Sequence, residues 1–91
     1  MLSLKNNNLR AEGGKALAEG IKGNQVIKEL NIADNNLTNS GNDMSGVIAL
    51  ANAIPDMGAL SKLDLSMNDI PAAEADMLNA TCKAKEVDLA L

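Results

Sequence analysis

The sequence predicts an α/β solenoid of about three and a half strand–turn–helix units, forming one domain over residues 1–91. Three observations carry this. First, Leu2-Ser-Leu4-x-x-Asn7-x-Leu9 recurs as Leu30-Asn-Ile32-x-x-Asn35-x-Leu37 and as Leu63-Asp-Leu65-x-x-Asn68-x-Ile70, with a partial fourth copy at Val87-Asp-Leu89-Ala. Second, the stretches between copies carry apolar residues at i and i+4, one stripe of a helix, at matching offsets. Third, the copies are spaced at 20–50 residues, the range in which stacked repeats share one core.

The units are read in order as about 1–28, 29–61, 62–85 and a partial 86–91. In unit one, Leu2 and Leu4 point to the core, and Ala16-Leu17-Ala18-x-x-Ile21 is the helical stripe, with Glu19 and Lys22 on its outer side. Unit two repeats this with Leu30, Ile32 and Ala49-Leu50-Ala51-x-x-Ile54, and unit three with Leu63, Leu65, Leu78 and Cys82. The second to fourth copies carry a further small or apolar residue upstream, at Ile27, Leu60 and Ala84. Anchors Leu2, Leu30, Leu63 and Val87 are 28, 33 and 24 residues apart. The five extra residues of unit two fall within 38–46, and the four missing from unit three fall after Cys82.

This pattern, with its period near 28 and full helix, resembles the ribonuclease-inhibitor-like subfamily of leucine-rich repeat proteins, which also includes NOD-like receptor sensor domains and Ran GTPase-activating proteins. The resemblance covers essentially the whole chain. It implies a right-handed solenoid with a short parallel sheet on the concave face and helices on the convex face, a hand that right-handed β-α-β crossovers also favour. It further implies that Asn7, Asn35 and Asn68 form an inward structural ladder, hydrogen-bonding the backbone of neighbouring loops.

Composition narrows the chemistry. The 91 residues are 46% hydrophobic and contain no His, Phe, Tyr or Trp. There is therefore no imidazole for a metal or a proton relay, and no aromatic ring for stacking bases or sugars. A net charge of −4 argues against nucleic acid, whose phosphates need clustered Lys and Arg. The lone Cys makes no intramolecular disulfide, and neither a leader nor an apolar run of about 20 residues is present. A reducing, cytoplasmic setting, no membrane contact and no cofactor are the expectation.

Four features invite a chemical reading, and each has a plainer one. Cys82, flanked by Lys83 and Lys85, aligns with Ile21 and Ile54 and reads as core. Asn36, Thr38, Ser40, Gly41 and Asp43 offer alternating oxygens, but Val47 stands where a calcium loop needs its closing acid, so a mobile surface loop is expected. Gly13-Gly14-Lys15 is followed by Ala16, and Leu9 replaces the first glycine of a phosphate loop, so a permissive turn entering the first helix is expected instead of a nucleotide site. Asn36-Leu-Thr38 and Asn79-Ala-Thr81 match a glycosylation sequon that matters only in a secreted protein.

Strand alternation assigns the opposite face of the sheet to Ser3, Lys5, Glu29, Asn31, Ala33, Lys62, Asp64, Ser66, Glu86, Asp88 and Ala90, with rim loops starting at Asn6, Asp34 and Met67. The candidate partner-binding residues are Glu29, Asn31, Asp34, Lys62, Asp64, Ser66, Met67, Glu86 and Asp88. Asp64 and Asp88 are expected side by side, about 5 Å or more apart. Without a nucleophile or a further polar partner, this is an acidic stripe facing a basic protein partner, and no catalytic residue is assigned.

The strands of the first and last copies lie at the very ends of the sequence, so both sheet edges are expected to be bare. Residues 1–28 carry five basic and two acidic side chains, while 29–91 carry three basic and ten acidic. A homodimer through the first strand, Leu2, Ser3, Leu4 and Lys5, is the expected association. The leading function is a non-enzymatic protein-interaction module. The alternatives are a self-assembling structural unit and a GTPase-activating fragment, for which Arg10 is the one arginine.

Overall fold

The computed structural model describes residues 1–91. Four short strands, β1 (Leu2–Ser3), β2 (Glu29–Asn31), β3 (Lys62–Asp64) and β4 (Asp88–Ala90), form one sheet in the order β1-β2-β3-β4. All neighbouring pairs are parallel. Helices α1 (Arg10–Ile21), α2 (Ser45–Ala53) and α3 (Ala72–Ala84) connect successive strands, and a single 3-10 turn, Ile54–Asp56, extends α2. The result is an α/β repeat fold.

Local chemistry accounts for where the helices stop and start. Gly23, at φ +78°, follows α1 in the left-handed conformation that ends a helix at no steric cost. Pro55 sits in the first turn of the 3-10 segment, where a missing N–H costs little. Pro71 immediately precedes α3 and presets its entry φ at −66°.

Between helices and sheet runs one core that includes Ile21, Leu30, Ile32, Leu37, Leu50, Ile54, Met57, Leu63, Leu65, Leu78 and Cys82. Leu30 and Leu63 are register partners in adjacent strands and are both buried. Cys82 is buried as well, and that burial pushes its thiol pKa up. Helices α1 and α2 pack at unusually close range. A Cβ on Gly46 would stand 2.7 Å from the Ala11 carbonyl oxygen, and one on Gly14 would stand 3.2 Å from the Gly46 Cα.

Several sequence expectations need correction. The fourth strand is displaced by two residues: Leu89, not Val87, is the register partner of Leu63. Asp64 therefore stands beside Ala90, and Asp88 stands beside Lys62, so the two aspartates are not side by side. Val87 and Leu89 have the same parity, and the partial copy lacks the Asn that would fix its register. Glu86 lies before β4, in a left-handed turn at φ +56°, and not on the strand. In β1, which is covered on one side only, Leu2 is 38% exposed and Leu4 half-buried, although both were expected in the core. Asn7 is exposed for the same reason.

The inserted segment of unit two also differs from a free surface loop, because Thr38 is fully buried. Its hydroxyl donates to the carbonyls of Asn68 and Asp69 (3.1 Å each) and accepts from the Gly41 N–H. Next to it, Asn39 Oδ1 accepts from the Ala11 N–H at 3.1 Å. Helix α1 has no capping side chain of its own, so Asn39 satisfies one of its free amides from the neighbouring unit.

Candidate functional site

The side chains of β2, β3 and β4 alternate, so the face of the sheet away from Leu30 and Leu63 carries two transverse rows. One row is Glu29, Lys62 and Asp88, and the other is Ser3, Asn31, Asp64 and Ala90. All of these except Ser3, together with Met1, line a shallow concavity of about 230 Å³. Glu29, Asn31 and Asp64 are half-buried, while Lys62 and Asp88 are exposed. The small side chain of Ala90 leaves space beside Asp64.

Asp64 is the most constrained of these groups. Its Oδ1 accepts from the Ser66 N–H at 3.0 Å and from the Ser66 hydroxyl at 2.6 Å. Those two bonds hold its carboxyl below the ordinary aspartate pKa, against a weaker opposition from burial and with a still smaller contribution from the Lys5 charge. The group is therefore ionised at neutral pH and fixed in orientation. Asn31 repeats the geometry one strand over: its Oδ1 accepts from the Ala33 N–H at 2.9 Å. The single ion pair in the chain, Lys15 with Glu12 on α1, lies elsewhere. Glu29, Asp64 and Asp88 consequently have no cationic partner within 4 Å, although Lys62 is the register neighbour of both Glu29 and Asp88.

Asp34 and Met67 occupy equivalent rim positions after β2 and β3, at φ +56° and +58°, and both are exposed. Neither lines the concavity, and Glu86 is also outside it. Ser66 contributes by orienting Asp64. The sequence reading missed that orientation, and the signal for it is Asp-x-Ser, since Asp43-Met-Ser45 repeats the same pair of bonds at 2.9 and 2.6 Å. No group of three or more His, Cys, Asp or Glu is placed to hold a metal.

The three asparagines form a connected series beneath the rim. Asn35 Oδ1 accepts from the N–H groups of Asn7 and Leu9 (2.9 and 3.3 Å), and Asn68 Oδ1 accepts from those of Asn35 and Leu37 (2.9 and 3.2 Å). Their amide nitrogens donate to carbonyls of the same and adjacent units: Asn35 to Leu4, Ile32 and Ala33, Asn68 to Ile32, Leu65 and Ser66. Asn35 and Asn68 are buried, and their bonds fix the turns that follow β2 and β3. The edge residues Leu2 and Ser3 form β1, Leu4 follows it with its N–H bonded to the Asn31 carbonyl, and Lys5 begins the turn beyond.

No helix is long and apolar enough to cross a membrane. Neither a curated protein nor a solved structure matches the chain. A family model described as Leucine Rich repeat matches residues 2–18 and 23–51, slightly more than half of the sequence, and covers the first two strands and most of α1 and α2. Recurring Leu-x-Leu strands, buried asparagines and parallel strand–helix units, together with that match, place this chain in the leucine-rich repeat family.

Proposed function

We propose that this chain is a non-enzymatic protein-interaction module that binds a basic protein surface on the concave face of its sheet. Leucine-rich repeat domains generally mediate protein–protein interaction. The observation that carries the reading here is the set of carboxylates, Glu29, Asp64 and Asp88, gathered around one concavity with no ion pair of their own. Charges left unpaired on a half-buried face favour a partner that supplies the complement and steer its approach. Asp34 and Met67 on the rim and Glu86 beyond it extend the contact outward. The finer reading is a right-handed solenoid of about three and a half units of the ribonuclease-inhibitor-like type, acting in the cytoplasm.

The test is capture of a partner by the wild-type chain, followed by the same capture with Asp64→Ser and Asp88→Ser together. The partner should elute with rising salt, and the double variant should retain much less of it while melting like wild type. Equal retention by both would remove the concave face from the reading.

A second reading is favoured by one feature. Met1 (83% exposed), Leu2 and Val26 (81% exposed) form an apolar patch beside the outer strand β1. Pairing of β1 with its copy would cover it. Leu4 N–H bonds inward to Asn31, so the Ser3 N–H points outward, and Ser3→Pro should abolish such a dimer while sparing the β1–β2 pair. Light scattering across a concentration series reads the mass directly.

A further inference from the structure

The concavity contains a donor and an acceptor held side by side. Asn31 and Asp64 are register partners on adjacent parallel strands, so their Cα atoms are about 4.8 Å apart. Each uses its Oδ1 to accept from the N–H two residues on: Ala33 for Asn31, Ser66 for Asp64. A backbone N–H is met only by the oxygen of an amide, and this fixes which end of Asn31 is free. The free end is Nδ2, a donor, and no acceptor in the chain takes it up. The free end of Asp64 is Oδ2, an acceptor held ionised, and no donor in the chain takes it up. Both residues line the same concavity, with Ala90 leaving room beside them.

A ligand satisfying both must present an acceptor to Asn31 and a donor to Asp64 from one edge. A guanidinium or ammonium carries donors only and would leave Asn31 facing a like group. A trans peptide carries both, but its C=O and N–H point in opposite directions. A side-chain carboxamide carries C=O and N–H on the same edge, the property that lets Asn and Gln read paired groups on an adenine. We infer that the Asn31–Asp64 pair is a recognition subsite for the side-chain carboxamide of a glutamine or asparagine presented by the protein partner. This deepens the concave-face reading and rests on it: the surrounding carboxylates attract a basic surface, and this pair selects one residue within it.

The probe is N-acetylglutamine N-methylamide, titrated into the isotope-labelled chain while the Asn31 side-chain NH₂ signals are followed by NMR. The glutamate and arginine analogues, which share the same backbone amides, are run alongside. The expected result is a saturable displacement of the Asn31 NH₂ signals by the glutamine analogue, at least about tenfold weaker with either analogue. Asp64→Asn keeps the bond to Ser66 and presents a donor in place of the acceptor, so it should weaken the response about tenfold. Asn31→Asp should do the same by removing the donor. Asn31→Asp combined with Asp64→Asn exchanges the two ends without changing net charge. A carboxamide can turn over to match, so the double variant should recover the response.

No displacement by the glutamine analogue, an equal displacement by the arginine analogue, or no recovery in a folded double variant would each overturn the subsite. Amide dispersion in the same spectra shows whether each variant is folded. If the glutamine analogue has no effect while partner capture still depends on Asp64 and Asp88, the subsite fails and the concave-face reading stands. Loss of that dependence with the glutamine response intact would do the reverse.

Discussion

Replacing each asparagine of the series by alanine should produce a graded loss of stability, with Asn68 the most damaging, Asn35 next and Asn7 least. The ranking follows from what each side chain leaves behind. Asn68→Ala strands the N–H groups of Asn35 and Leu37, both fully buried, and takes away the side-chain donor to the Leu65 carbonyl. At about 1–3 kcal/mol for each stranded buried group, the two amides alone cost about 2–6 kcal/mol. Asn35→Ala also releases two N–H groups, those of Asn7 and Leu9, but Asn7 is exposed and Leu9 half-buried, so water recovers part of the loss. The three carbonyls that Asn35 serves each keep a second donor: Leu4 from Asn7, Ile32 from Asn68 and Ala33 from the Asn6 N–H. About 1–3 kcal/mol is the expected cost there. Asn7 accepts no bond from the chain and donates on an exposed surface, so its removal should cost less than about 1 kcal/mol. Against a total of roughly 5–15 kcal/mol for a small domain, Asn68→Ala approaches the limit of folding. Urea melts followed by far-UV circular dichroism measure the series, with an unchanged m-value licensing the comparison. A flat series, or one in which Asn7 costs as much as Asn68, would refute the argument from burial.

Gly46→Ala drives a methyl into the Ala11 backbone and should cost about 1–3 kcal/mol, whereas Gly20→Ala, with open space around its Cβ position late in α1, should stabilise by about 0.5–1 kcal/mol. Thermal melts of the pair check both signs. Asp64 has a lowered pKa, so its bonds to Ser66 contribute stability that is present above the ordinary aspartate pKa and is lost as pH falls through the lowered folded value. Ser66→Ala removes the hydroxyl donor, and the Asp64 carboxyl should then titrate at higher pH in an NMR titration. An unmoved titration would mean that the hydroxyl does not hold the charge.

The strand anchors of the first three copies, the helical stripes and the burial of Leu30, Leu63, Asn35, Asn68 and Cys82 were legible because each recurs at a fixed offset, whereas Gly13, Gly14 and Lys15, expected in a turn, lie inside α1. Side chains that repeat report on the stacking they share. The fourth strand was misregistered because Val87 and Leu89 both satisfy a period of two, and parity does not distinguish them. Exposure of Leu2 and Asn7 was hidden for a related reason: the pattern of an outer unit is the same as that of an inner one. The roles of Thr38 and Asn39 left no trace, since a polar insert that bonds backbone groups about 30 residues away in both directions has the composition of any surface turn. Alternation along the strands accounts for Glu29, Asn31, Lys62, Asp64 and Asp88 sharing one face of the sheet, while Asp34, Met67 and Glu86 fall outside the concavity. The orientation of Asp64 and Asn31 was not legible, because it depends on which oxygen meets the amide two residues on.

The insertion changes how the array comes apart. In a stack where each unit touches only its neighbours, unfolding proceeds as fraying, one unit after another, and the flanks can melt independently. Thr38 and Asn39 give the second unit a grip on both flanks at once, one on the turn after β3 and the other on the first turn of α1. Opening either flank loosens the same nine-residue stretch, and that loosening is felt by the opposite side. Amide hydrogen exchange should show this as a shared opening event: the Ala11 and Gly41 amides should exchange at a common rate, and Thr38→Val should accelerate both. What reads in the sequence as an irregularity in the repeat would thus make the array melt as one cooperative unit.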